Sequence, residues 1–331
     1  MFNIAAVSTA HVHTRGYLKN LTEEHDDRTL CAVWDDVTDR GRAFAEEFGA
    51  PFVADLDALT ADPAVHGFVV CAENTRHLPL LKALIPAGKP VFCEKPLTTT
   101  VADARAVAAL LDRHGTKLLC GYFQPFSGVM QAVAKLVADG AFGRITRVRF
   151  RNAHHAAYGH WFDRPEVAWF HDPALSGGGA MMDMGAHAVH LLRTLFGPAA
   201  RVWSIQANHA GVYPAVDDYG LAHLEFASGV LGTVEAAWTQ TGGIRGLEIV
   251  GSEKTLWNTG SEYVIGGPGE DPVPVAPIAD RPTRVDRLVG VLTGDVTDDE
   301  LAADLAAAID AVAIMQAAYE SDGAWTDVPS A

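Results

Sequence analysis

The sequence predicts a two-domain α/β protein. Residues 1–121 read as a doubly wound parallel (Rossmann) sheet, and residues 122–331 as an α+β domain with an open, mostly antiparallel sheet. Three observations carry this. Short, wholly apolar runs alternate with helical patterns through the first third of the chain. Strands apolar on both faces belong to a parallel sheet covered by helices on each side. Near residue 122 the alternation ends, and later strands follow one another without intervening helices, the mark of an antiparallel sheet. The length of 331 residues, 49% hydrophobic and 20% charged, suffices for two cores.

The first strand is the apolar run at 4–7, followed by a short helix at 12–21. The second strand, 30–34, ends in Asp35-Asp36. A helix at 38–48 stops at Gly49. A short strand at 51–53, a small helix at 55–60 and a strand at 67–71 come next, then a helix at 75–87. Val91-Phe92-Cys93 is a buried strand ending in Glu94-Lys95-Pro96. Pro96 lacks an N–H and fixes its own φ, so it ends the ladder and holds Lys95 on a stiff turn. That turn lies at the carboxyl edge of the sheet, where open α/β sheets bind ligands. A helix capped by Thr99 or Thr100 and a strand at 117–121 close the set.

In the second half, 126–137 is helical and 145–151 alternates as a strand. A long segment, 152–176, lacks periodicity and is rich in His154, His155, His160, Trp161, Trp169 and His171. Long irregular loops are often functional. A glycine triplet at 177–179 leads into a helix over 180–195, and strands follow at 201–208, 219–226, 230–238 and 246–250, with Ser228-Gly229 as a hairpin turn. Residues 266–282, rich in Gly and Pro, read as a surface loop, and a last helix spans 298–319 with one apolar stripe.

Charge and composition narrow the function classes. Net charge is −16, with no basic cluster, which argues against nucleic acid and anionic membrane. No apolar run approaches the roughly 20 residues of a membrane span. The start, Met1-Phe2-Asn3-Ile4-Ala5, has no basic segment, so a signal peptide is not expected. Cys31, Cys71, Cys93 and Cys120 sit in strand-like runs and read as small buried hydrophobes of a reducing cytoplasm.

A nucleotide-binding sheet should carry G-x-G-x-x-G after its first strand. Here the loop is Ser8-Thr9-Ala10-His11-Val12-His13, each glycine replaced. Ser8 and Ala10 are small enough for a diphosphate to approach the backbone at the helix start, whereas His13 would crowd the helix–strand contact. Asp35 sits where an acid takes the adenosine ribose hydroxyls. With Asp36 beside it and Arg40 five positions on, no arginine is expected next to a 2′-phosphate, which favours NAD over NADP. In the second half, Asp183 and His187 are four apart on a helix, hence on one face. A carboxylate beside an imidazole orients it as a general base.

At several stretches the chain resembles the Gfo/Idh/MocA oxidoreductases, relatives of glucose–fructose oxidoreductase and inositol dehydrogenase. Asn74-Thr75-Arg76-His77 resembles the family's Pro-Asn-x-x-His segment, with Glu73 for the proline. Gly88 to Leu97 resembles its Glu-Lys-Pro signature. Gly177-Gly178-Gly179 through His187 resembles its Gly-Gly-Gly-x-x-x-Asp-x-Gly-x-His helix. Asp217-Asp218 and residues 247–252 resemble its open sheet. The resemblance implies hydride transfer between a nicotinamide cofactor and a sugar, cyclitol or related hydroxyl carbon. It implies Lys95 on the reacting oxygen, Asp183 as positioner and His187 as proton acceptor. Ser8, Thr9, Ala10, His11, Val12, Asp35, Ala72, Asn74, His77, Glu94 and Lys95 would face the cofactor. Tyr122, Gln124, His154, His160, Trp161 and Trp169, with Asp183 and His187, would face the substrate. His190 stands where relatives often have Asp. His154, His155 and His160 lack a carboxylate or Cys at ligand spacing, so no metal is expected.

Two other readings stay open. Oxidation at a ring carbon acidifies the neighbouring C–H and permits elimination of a glycosidic substituent, with NAD regenerated. Alternatively, the chain is a non-catalytic sugar- or NAD-sensing homologue, which the missing glycines favour and the retained Lys95, Asp183 and His187 oppose. The free sheet face suggests a homodimer or homotetramer.

Overall fold

A computed structural model describes residues 1–330. The chain forms two compact units. The first comprises Met1–Tyr122, Pro165–Trp169 and Pro282–Ile309; the second comprises Phe123–Arg164, Phe170–Arg281 and the chain from Asp310 onward.

The first unit holds a five-stranded parallel sheet in the order β2-β1-β3-β4-β5. Its strands are β1 (Phe2–Thr9), β2 (Arg28–Trp34), β3 (Gly67–Cys71), β4 (Val91–Cys93) and β5 (Leu118–Cys120). The covering helices are α1 (Thr14–Thr22), α2 (Thr38–Glu47), α3 (Leu56–Ala61), α4 (His77–Leu84) and α5 (Val101–His114). Every residue of β3 and β4 is buried, as strands covered on both faces must be. The strand order reverses between β1 and β3, so their carboxyl ends open a crevice. Local chemistry sets the helix limits: Thr100 accepts the Asp103 N–H to cap α5, and Gly115 ends it at φ +65°.

Two expectations differ here. The strand expected at 51–53 reduces to one bridge, Val33 to Phe52. Helix α1 starts at Thr14 because residues 10–13 are drawn into the loop after β1.

The second unit begins with a 3₁₀ turn (Gln124–Phe126) and α6 (Gly128–Ala138), then β6 (Ile145–Ala153) and the short α7 (Pro173–Ser176). A π-helical turn, Met181–Gly185, runs into α8 (Ala186–Phe196). The remaining strands are β7 (Ala199–Ala207), β8 (Tyr219–Phe226), β9 (Leu231–Ala237), β10 (Gly246–Gly251), β11 (Thr255–Asn258), β12 (Tyr263–Gly266) and β13 (Val273–Pro274). After α9 (Arg284–Thr293) and α10 (Asp298–Glu320) comes β14 (Thr326–Asp327). The sheet order is β13-β12-β11-β10-β6-β9-β8-β7-β14, antiparallel except for the parallel β6–β9 pair. Burial alternates residue by residue along β8, as in a sheet with one covered face. The other face bears Ile205 and Leu231, both exposed.

Helix α9 falls outside the expected surface loop and inside the first unit. Val285, Leu288, Val289 and Val291 join Ile4, Val69 and Phe92 in one apolar cluster. The expected boundary at 121/122 is therefore crossed by two later segments that pack with the nucleotide-type sheet. The expectation about apolar length also needs correction. Helix α10 has 23 residues and contains an 18-residue stretch with a mean hydropathy of 1.6, enough to cross a membrane by length and composition, with 61% of that stretch buried inside the protein. Burial of that kind is what a core helix shows. Leu288→Ala deletes a fully buried side chain from α9 and should cost about 2–5 kcal/mol in urea unfolding; a negligible change would remove α9 from the first core.

Candidate functional site

In the first unit, the site is built at the carboxyl edge of the sheet around Glu94. This side chain is fully buried, one residue past β4. Its Oε2 accepts the Lys95 N–H at 2.8 Å. Its Oε1 accepts the Tyr17 hydroxyl and lies 2.8 Å from His13 Nδ1 and 3.9 Å from His11 Nδ1. Burial alone would raise the Glu94 carboxyl; His11, His13 and Lys95 overcome this and hold it well below the usual carboxylate range. Gly121 backs this turn, since a Cβ there would lie 2.8 Å from Glu94 Oε2 and 2.9 Å from Lys95 N. Lys95 itself is buried, and the Lys95–Pro96 peptide is cis.

The loop after β1 keeps the glycine geometry without the glycine. Ser8 has φ +62°, in the left-handed region. The His11 N–H donates to the Cys71 carbonyl at 2.9 Å, and Thr14 Oγ1 donates to the His11 carbonyl at 2.7 Å. His13 does not crowd α1 against the sheet; its ring turns to Glu94.

Asp35 lies at the end of β2, as expected, but its oxygens are already engaged. It accepts Thr9 N–H (2.8 Å), Thr9 Oγ1–H (2.6 Å) and Val37 N–H (2.8 Å). Arg40 Nε and Nη2 add bonds of 2.9 and 2.8 Å. Burial opposes the Asp35 charge; Arg40 and Thr9 outweigh it and lower the carboxyl below its ordinary value. The expectation of no arginine beside Asp35 and Asp36 is therefore corrected. The turn from β2 into α2 folds Arg40 back onto Asp35 and Asp36, and Arg76 pairs with Asp36 from another element. Glu73, where the family pattern has proline, binds Arg40 Nη1 at 3.0 Å and neutralises it further.

Several other expected contacts are structural. His77 is fully buried, its Nδ1 2.8 Å from the Pro96 carbonyl and its Nε2 3.3 Å from the Ala72 carbonyl. Burial lowers the His77 pKa, so the ring is neutral and donates from one nitrogen, best at the shorter contact. It clamps the turn after Lys95 and exposes no face to a ligand. Asn74 is buried at the start of the 3₁₀ turn that precedes α4. Trp169 belongs to the first unit: it is buried, donates to the Ala10 carbonyl at 3.0 Å and lies 5.8 Å from the His11 ring. Val12 is exposed on the same loop, and Tyr122 is buried beyond β5.

In the second unit, Asp183 lies within the π turn rather than on a regular helix, and His187 opens α8. The extra residue per turn shifts their register from the four-apart α-helical geometry. Asp183 Oδ2 accepts the Trp238 indole N–H at 3.0 Å, and His154 Nε2 lies 3.9 Å away. Trp238 is fully buried and was missed by sequence reasoning; only its indole N–H, needing a partner when buried, hinted at it. His187 is buried, with the Phe123 ring 5.4 Å away, edge-on. Gln124 Oε1 is buried with no hydrogen-bond partner, a position that suits a ligand donor. Trp161 is exposed and packs against His154 (4.8 Å) and His155 (5.0 Å). His160 is also exposed and is bonded to Asp163 at 3.0 Å. Burial beside Arg193 pushes His190 down to about 3, so it is neutral and does not replace an anionic Asp.

The glycine triplet is explained by packing. A Cβ on Gly179 would lie 1.9 Å from the Asp217 carbonyl oxygen. Asp217 accepts the Gly179 and Met181 N–H groups, and the Tyr319 hydroxyl, which donates to Asp217, accepts from Gly179 and Met182.

Residues 2–122 match the oxidoreductase family's NAD-binding Rossmann fold, and residues 130–257 match the GFO/IDH/MocA C-terminal domain. The chain belongs to the Gfo/Idh/MocA family of oxidoreductases. It is 29% identical over 226 residues to the 1,5-anhydro-D-fructose reductase of Ensifer adhaerens, covering 66% of this chain and 64% of that protein. It is also 29% identical over 171 residues to the inositol 2-dehydrogenase of Rhizobium meliloti, covering 52% and 48% of the two chains. These matches thus span less than two thirds of the relatives' own lengths. The crystal structure of an inositol dehydrogenase homologue from Azotobacter vinelandii, complexed with NAD⁺, superposes with a TM-score of 0.80 at 20% identity, over 98% of this chain and 97% of that one.

Arg40→Leu leaves Asp35 buried without its cation and should cost about 3 kcal/mol in urea unfolding near neutral pH. The sign with pH follows from the depressed Asp35 pKa. Native Asp35 contributes stability above its unfolded pKa and loses it as pH falls through its folded pKa. The gap between native and variant should therefore close in acid; a pH-independent gap would mean that the pair is not what Arg40 supplies.

Proposed function

We propose that the chain is an NAD-dependent dehydrogenase acting on a hydroxyl carbon of a sugar, cyclitol or related polyol. The observation that carries this is the Glu94–Lys95 turn: a buried, ionised carboxylate fixes the backbone of a buried lysine at the carboxyl edge of the sheet. The residues present suit a dinucleotide. Ser8 takes the left-handed backbone usually given to glycine, and Thr9, Ala10, His11 and Val12 follow at the start of α1. Three carboxylates, Asp35, Asp36 and Glu73, surround Arg40 and Arg76, so a 2′-phosphate would meet a net negative cluster. This supports NAD over NADP despite the arginines.

The bound nicotinamide supplies the hydride acceptor. The chain's own residues handle the rest. Lys95 donates to the reacting oxygen and stabilises the charge that grows there. His187 takes the hydroxyl proton. Asp183, its carboxylate fixed by the Trp238 indole, orients substrate and histidine. Gln124 and Trp161 add hydrogen-bonding and stacking contacts. The free thiols of Cys31, Cys71, Cys93 and Cys120 support a reducing, cytoplasmic setting. Net charge of −16 supports a small-molecule partner over nucleic acid or an anionic membrane.

A panel of polyols, aldoses and glycosides with NAD and NADP should yield NADH with NAD and a cyclic or sugar substrate. Lys95→Ala should lower kcat/KM roughly 100- to 1,000-fold, and His187→Ala roughly 100- to 10,000-fold, in variants that circular dichroism shows to be folded. No NAD binding at millimolar concentration would overturn the reading. Glycoside cleavage without net NADH would replace it with oxidation–elimination.

We further propose a homodimer or homotetramer formed through the open sheet face. Ile205, Leu231 and Trp325 are exposed there, and Arg149–Glu248 and Arg201–Glu225 pairs give the face both signs of charge, which suits a symmetric contact. Leu231→Glu should shift the sedimentation coefficient to that of a monomer. A native chain that already sediments as a monomer rules out the pairing.

A further inference from the structure

We propose that His11, His13 and Glu94 form a divalent transition-metal site on the loop after β1. His11 Nδ1, His13 Nδ1 and a Glu94 oxygen all lie within 4.8 Å of one another. Around zinc, donors at about 2.0–2.1 Å from the ion sit about 3.3 Å apart in a tetrahedron. The distances from Glu94 Oε1, 2.8 Å to His13 and 3.9 Å to His11, bracket that value. An ion therefore needs only small ring rotations. Two imidazoles and a carboxylate are a donor set that Zn²⁺, Co²⁺ and Ni²⁺ share.

His11 Nδ1 accepts the His13 backbone N–H at 3.2 Å, a bond that an entering ion would replace. The imidazole rings of His11 and His13 lie 4.6 Å apart. Glu94 is held from behind, as ligand carboxylates usually are: the Lys95 N–H fixes Oε2 and the Tyr17 hydroxyl fixes Oε1. Trp169 packs on the His11 ring and anchors the loop at the Ala10 carbonyl. An entering ion would replace the His13 Nδ1–Glu94 hydrogen bond and release its proton to water. The nearby Lys95 ammonium opposes the ion, and the Glu94 carboxylate between them offsets it. His13 is partly exposed and leaves an entry path, and water or an anionic ligand oxygen would complete the coordination.

The test uses the full chain, treated with chelator, dialysed and titrated with Co²⁺. One equivalent should bind with visible ligand-field bands of a four- or five-coordinate ion. His11→Ala and His13→Ala should each weaken binding at least about tenfold, while His114→Ala, on the far end of α5, should not. Circular dichroism verifies that each variant is folded, and Glu94→Gln serves where an alanine variant is not. Absence of stoichiometric Co²⁺ in the native chain, or unchanged binding in a folded His11→Ala/His13→Ala double variant, would overturn the proposal. NAD binding to the metal-free chain, followed by intrinsic fluorescence, is read separately, so loss of the dehydrogenase reading leaves the metal result standing.

Discussion

The first unit depends on one buried charge. Taking the Glu94 carboxylate out of water costs several kcal/mol unless partners replace the lost hydration. The chain supplies those partners from four elements: Tyr17 on α1, His11 and His13 on the loop before it, the Lys95 amide, and the absent side chain of Gly121 after β5. Each of these positions is fixed by the need to satisfy Glu94. The consequence is a lysine whose backbone cannot shift without exposing or orphaning an anion. A flexible surface Glu–Lys pair would give neither the placement nor the electrostatic bias.

A second buried charge organises the other end of the crevice. Asp35 was expected to offer its oxygens outward, yet Thr9, Val37 and Arg40 absorb them. The carboxylate thereby ties the end of β1 to the end of β2 and holds Thr9 in place after the strained Ser8. A non-glycine residue in the left-handed region costs roughly 1–2 kcal/mol. The Thr9–Asp35 pair and the Trp169 anchor on Ala10 offset that cost. The loop thus replaces backbone freedom with side-chain restraint, and its departure from the glycine pattern is a different solution to the same geometry.

Much of this was legible in the sequence, and the reasons it stopped being legible are physical. The parallel sheet was readable because strands covered on both faces are apolar at every position, as in Val69-Val70-Cys71. The open sheet was readable from alternation along 219–226. Helix α9 was hidden because Pro282 and a run of loop residues precede it, and its apolar face is complete only against a sheet far away in sequence. The strands β11 to β13 are two to four residues long, too short for any period to register. Position 40 was read as distant from Asp35 because linear spacing does not show that the turn from β2 into α2 folds it back. Trp169 was assigned with its sequence neighbours, although its indole bonds the loop after β1.

The π turn shows why motif spacing and side-chain geometry are separate facts. Asp183 and His187 are four apart, which on an α-helix means one face and mutual contact. One wider turn over Met181–Gly185 rotates Asp183 relative to α8. The rotation is set by Gly179, Asp217 and Tyr319, which take up the amide groups at the start of the turn. It delivers the carboxylate to Trp238 at 3.0 Å, on the first residue after β9, with His154 close by. An indole N–H is a neutral donor. It fixes the carboxylate's direction and so orients Asp183. The glycine triplet is a backbone in close approach to Asp217. The function it serves is reached indirectly, through the register it imposes on Asp183.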